Sequence, residues 1–131
     1  MDDKIIALAT YRLEKAKEDM ETAGVNMKHN KLSQSINRSY YAIFHAVRAL
    51  LAFERFDSKR HSVIIGHFNQ YYVATGKIDK SYHKMLVDSF EVRTKSDYQD
   101  FYVVSIDDAE RQLNNAKNFI AMIEACIQKL T

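Results

Sequence analysis

Cysteine occurs once in this chain of 131 residues, proline and tryptophan not at all, and glycine three times. A single thiol excludes a disulfide framework and a cysteine-held zinc site. The missing prolines and scarce glycines remove the usual helix breakers and tight-turn makers. No apolar run approaches the roughly 18 residues of a membrane helix, so no membrane partner is expected. Met1-Asp2-Asp3-Lys4 leads straight into an amphipathic pattern instead of a secretory leader, and the expected location is cytoplasmic. Cys126 then reads as a buried free thiol in a reduced compartment. Charge of one sign is lacking too. The 19 Lys and Arg against 17 Asp and Glu leave +2, too little to mark a nucleic-acid binder by bulk basicity. Basic residues gather only locally, at Lys28 to Lys31 and at Arg55 to His61.

What is present is helical periodicity from end to end. One domain, residues 1–131, is long enough to bury roughly two-thirds of its unfolded surface. The spacing predicts a first helix from Asp3 to about Met27, with Ile5, Ile6, Leu8, Ala9, Leu13, Ala16, Met20 and Ala23 facing inward. Glu14, Lys15, Lys17, Glu18 and Glu21 make its wet side. A short turn returns the chain into a second helix reaching about Glu54. Asp57 or Ser58 suits the N-cap of a third, shorter helix that Gly76 ends, and Asp79 that of a fourth closing near Tyr98. Ser105-Ile106-Asp107-Asp108 opens the last helix in the manner of a capping box. The expected architecture is all-α: an antiparallel up-and-down bundle of four long helices and one shorter one, without a sheet.

The second helix is apolar on two sides. Ile36, Tyr40, Phe44, Val47 and Leu51 form a core stripe, while Arg38, Ala42, His45, Ala49 and Ala52 lie opposite. An ordinary surface face carries Lys, Glu and Gln, so the side with Ala42, Ala46, Ala49 and Ala52 must meet a partner subunit or another helix of its own chain. A homodimer through this face is the expectation, because an isologous contact would bring two copies of Arg38 and His45 together.

Candidate chemistry follows by exclusion and then by pairing. The di-metal carboxylate sites of helical bundles need Glu-x-x-His, which is absent, as are Gly-rich phosphate loops and Gly-x-Ser-x-Gly elbows. No metal and no cofactor are expected. Arg38 and His45 stand almost two turns apart on one face, about 10 Å along the axis, where long side chains can grip one phosphate between them. Histidine shuttles a proton near neutrality and a guanidinium neutralises charge building on phosphate, which suffices for metal-independent RNA cleavage by the 2′-hydroxyl. The same two residues could equally hydrogen-bond within a helix interface. Arg55 with His61 and Arg60 with His67 have similar spacing, but only Arg38 and His45 share one predicted helix. Lys59, His61 and Arg93 are candidates for an anion-binding corner. Arg93 and Asp97 can pair along the fourth helix with Tyr98 at its end, an arrangement that serves equally to anchor that helix.

The run Asn37-Arg38-Ser39-Tyr40-Tyr41-Ala42-Ile43-Phe44-His45-Ala46, then Ala49-Leu50-Leu51, Lys59, His61, Phe68, Gly76, Arg93 and Asp97-Tyr98, resembles the small stand-alone bacterial and archaeal HEPN domain proteins. The resemblance spans about Ala7 to Ile127. It implies a helical bundle that commonly dimerises, often encoded beside a nucleotidyltransferase-like antitoxin, with many members acting as RNases through Arg, four to six residues, then His. Carried over, it makes Arg38 and His45 catalytic, and the anion-binding corner of Lys59, His61 and Arg93 would then bind substrate. Tyr41, Asp97 and Tyr98 become site support. Two functions stay open: an endoribonuclease subunit of a toxin–antitoxin or defence system, and a non-catalytic module binding a nucleotidyltransferase or a nucleotide.

Overall fold

A computed structural model describes residues 2–131. It is all-α, with no strand among the described residues: α1 Asp3–Lys28, α2 Leu32–Leu51, α3 His61–Phe68, α4 Lys80–Tyr98 and α5 Ile106–Leu130. One 3-10 turn, Ala52–Glu54, prolongs α2, and one π turn, Asn69–Val73, prolongs α3. No helix among the described residues is long and apolar enough to cross a membrane.

Two of the expected caps, Asp79 and Ser105, are in place, and Asp2 supplies another. Asp2 accepts from the Lys4 amide at 2.8 Å, Asp79 from Ser81 at 3.0 Å and Ser105 from Asp108 at 3.0 Å, each satisfying an otherwise orphaned N–H of a first turn. The third helix differs from expectation. It begins at His61 behind Arg60, with no side-chain cap, because Asp57 is turned away to two arginines and Ser58 caps only the intervening Arg60 amide. Gly76, at φ 81°, supplies the left-handed turn that lets the chain reverse into α4.

α2 is the central helix and touches each of the other four. Its core stripe is completely enclosed, with Ile36, Tyr40, Val47 and Leu51 at 1% exposure or less. Its alanine side is enclosed too, by α1 of the same chain. Ser35 Oγ donates to the Ala23 carbonyl at 2.9 Å and Arg12 Nη1 to the Arg48 carbonyl at 3.1 Å, which fixes the two helices antiparallel. Ala9, Ala16 and Ala23 of α1, seven apart, are buried as fully as Ala42, Ala46 and Ala49 of α2. Small side chains let two helix backbones approach closely, so the alanine face finds its partner within the chain. This corrects the expectation of a dimer contact there.

Other departures have local causes. Leu8, expected inward, is exposed, while Arg12 is buried because its guanidinium is satisfied by the Arg48 carbonyl and Asp57. Cys126 is half-buried, not buried, and lies 3.7 Å from the Met122 sulfur; burial pushes its thiol pKa up, away from reactivity. Leu130, the last residue of α5, falls on the apolar spacing of that helix and is nevertheless exposed.

Candidate active site

With both apolar sides of α2 covered, one stripe stays open. Between Ser35 and Leu51 only Asn37, Arg38, Tyr41, His45 and Arg48 keep partial exposure, at the three- and four-residue steps of a single helix face. Arg38 and His45 therefore do share an accessible face. The Arg38 guanidinium lies 5.1 Å from the centroid of the Tyr41 ring between them.

The two residues converge on one anion, Asp19 of α1. Arg38 Nη1 donates to Asp19 Oδ1 at 3.0 Å, and His45 Nε2 is 3.6 Å from Asp19 Oδ2. The carboxylate spans them, one oxygen to each. The rest of the Arg38 fork, Nε and Nη2, donates to Asn37 Oδ1 at 3.0 and 2.6 Å, and Asn37 Nδ2 donates in turn to Asp97 at 2.9 Å. Burial, and then Arg48, Lys15 and Arg38, push the His45 pKa below its ordinary value against the opposing pull of Asp19. The ring is neutral at neutral pH and able to accept a proton. Its Nδ1 is buried with no hydrogen-bond partner.

Beside this pair opens a groove of about 450 Å³ in which His45, Arg48, Lys59 and His61 surround Tyr41 and Phe44. His61 is stacked on Phe44 at 4.2 Å and is 2.6 Å from the Tyr40 hydroxyl through Nδ1. Burial raises the Tyr40 pKa, so the hydroxyl keeps its proton and donates to His61 Nδ1, which leaves the proton of neutral His61 on Nε2. Burial, with Arg93 and Arg48, lowers the His61 pKa. Arg48 is held bidentately by Asp57, at 3.0 and 2.7 Å, and buried Arg12 grips the same carboxylate at 3.1 Å. These contacts, led by the Arg48 hydrogen bonds, hold the Asp57 carboxyl below the ordinary range.

The structure thus brings Arg38, Tyr41, His45, Lys59 and His61 to one side of the bundle. Arg93 does not line the groove. Its Nε donates to Asp97 at 3.0 Å and its Nη2 to the Tyr41 hydroxyl at 3.0 Å, and the guanidinium packs on the Tyr40, Tyr41 and Tyr98 rings at 5.2 to 5.6 Å. Arg93, Asp97 and Tyr98 anchor the end of α4 against α2. Sequence reasoning missed Asp19 and Arg48. Arg48 lies three residues after His45 on the same face, and Asp19 lies between Ala16 and Ala23 at the edge of the inward stripe of α1; both positions carried that signal. Among the described residues no group of three or more His, Cys, Asp or Glu side chains is placed to hold a metal ion.

Comparison with known proteins settles the lineage. The HEPN domain family model matches residues 9–126. The chain belongs to the HEPN domain family. A UPF0332 protein of Thermotoga maritima is 31% identical over 120 residues, covering 92% of this HEPN chain and 91% of that one. A protein of Methanocaldococcus jannaschii named "Putative toxin" is 28% identical over 118 residues, covering 90% and 87%. The crystal structure of an archaeal HEPN homologue superposes with a TM-score of 0.66 at 19% identity, over 91% of this chain and 97% of that one, which establishes the shared fold.

Proposed function

We propose that this HEPN protein is a metal-independent endoribonuclease of the toxin or defence type. The observation that carries the reading is the convergence of Arg38 and His45 on one carboxylate, across the span a phosphate needs. In the reaction, RNA displaces Asp19 and places its scissile phosphate between the two residues. His45 takes the 2′-hydroxyl proton as O2′ bonds to phosphorus, the P–O5′ bond breaks, and the leaving oxygen takes a proton from water, yielding a 2′,3′-cyclic phosphate and a 5′-hydroxyl. The Arg38 fork neutralises charge on the phosphoryl oxygens. Lys59, Arg48 and the His61 Nε2–H hold the neighbouring phosphate. A homodimer remains part of the reading, through a face other than the alanines, and would bring a second His45 to the cleft.

Purified protein incubated with mixed RNA in EDTA tests this. Cleavage is expected to persist under chelation and to fall about a hundred- to ten-thousand-fold in His45→Ala, while thermal stability stays nearly unchanged because the ring's polar contact, Nε2 to Asp19 at 3.6 Å, is long and Nδ1 has no partner among the described residues. Arg38→Lys is expected to fail despite keeping its charge. Full activity in His45→Ala refutes the assignment.

A second reading, a module that docks a protein such as a nucleotidyltransferase-like antitoxin, is favoured by the link between α4 and α5. Tyr98, Phe101, Val103 and Ile106 are all exposed there, Phe101 completely. A toxin whose active site is held in check by such a partner would satisfy both readings.

A further inference from the structure

Arg38 borders a second groove, of about 520 Å³, on the side away from His61. It lies between the end of α1, the first turns of α2 and the end of α4. Its character differs from that of the groove at Lys59: apart from Arg38 and Asp97, whose carboxylate is taken by Asn37 and Arg93, its lining of Thr22, Asn26, Ser33, Gln34, Asn37 and Ser96 is neutral amides and hydroxyls. Thr22, Ser33 and Gln34 are exposed and Asn26 half-exposed, and Ser96 Oγ is a buried atom without a partner among the described residues. Buried hydroxyls are normally satisfied, so Ser96 is poised for a polar group that enters the groove. The first turn of α2 likewise has no side-chain cap and no acid.

A nucleobase is the chemistry such a lining suits. Carboxamides present a donor and an acceptor in one plane, which matches the edge of a base, and Asn or Gln pairs bidentately with adenine. Single-stranded RNA exposes those edges, whereas a duplex hides them. Phosphates would sooner choose the other groove, with Lys59 and the His61 Nε2–H. We infer that the groove beside Asn26, Gln34 and Ser96 is a base-reading subsite that takes an unpaired nucleobase, adenine by preference, adjoining the phosphate held at Arg38. The inference rests on the RNA-cleaving reading above and adds the determinant of where the strand is cut.

The test cleaves a randomised single-stranded RNA pool with wild type and with Asn26→Ala/Gln34→Ala, and sequences the product ends. Both substitutions lie on partly or fully exposed positions, and a melting curve confirms the fold. Wild type is expected to enrich adenine at one position beside the cut, and the double variant to lose that preference about tenfold while still cutting. In parallel, fluorescence anisotropy measures binding of 2′-O-methyl oligoadenylate and oligouridylate, which cannot be cleaved. Cleavage with an unaltered base preference in the variant overturns the subsite and leaves the nuclease reading standing. If wild type cuts nothing, the nuclease reading fails and the binding arm decides. Adenine-dependent affinity that disappears in the variant then supports the subsite, and equal affinities for the two oligomers overturn it.

Discussion

Replacing Asp19 by asparagine removes one negative charge from between Arg38 and His45 and leaves the shape of the side chain intact. If the carboxylate occupies the phosphate position, the substitution should tighten RNA binding. Two unit charges about 4 Å apart interact by about 1 kcal/mol in water and about 4 kcal/mol at the effective dielectric of a protein surface. The Asp19 side chain is 17% exposed and Arg38 37%, so the site is open enough for a value toward the lower limit. About 1.5 kcal/mol corresponds to roughly tenfold tighter binding. The assay is anisotropy of a 2′-O-methyl oligonucleotide at fixed salt, because phosphate contacts are strongly salt-dependent. A second readout comes from the His45 ring. Asp19 is the group that opposes the other causes lowering the His45 pKa, so Asp19→Asn should make the ring protonate at still lower pH in an NMR titration. Weaker or unchanged binding, or a His45 titration displaced upward, would refute the view of Asp19 as resident anion.

Two further outcomes concern the fold. Ala49→Glu would place a carboxylate without a partner in the closed contact between α1 and α2, at a cost of at least about 3 kcal/mol and a fall in melting temperature of about 10 °C; a near-wild-type melt with a changed sedimentation coefficient would instead return the alanines to a dimer surface. His45 and His61 both have lowered pKa values, so the folded protein resists charging them while the unfolded chain takes protons at the ordinary 6.5. Their stabilisation is complete above that value and is lost as pH falls below it, so melting temperature should drop between about pH 7.5 and about pH 5.5, and drop less in His61→Asn; a flat profile over that range would contradict the burial of the two rings. Asp57 and Asp79 titrate below the usual carboxylate range and leave this window unaffected.

The sequence by itself determined the helices, two of their caps and the shared face of Arg38 and His45. All of these depend on residues within a few positions of one another, where the 3.6-residue period and the orphaned N–H groups of a first turn decide the outcome. It also posed the right question about the alanine side of α2, since small residues on a second face must pack on something. Only the tertiary structure decided the answer. The antiparallel register fixed by Ser35 on Ala23 and Arg12 on Arg48 sets α1 over the alanines, and the same register delivers Asp19 to Arg38 and His45. Asp57 reads locally as an N-cap, yet two arginines from other helices outweigh one backbone amide, and α3 starts later for that reason. Helical periodicity gives each residue an angle on its own helix and says nothing of the axial offset between two helices, and that offset determines which charges meet.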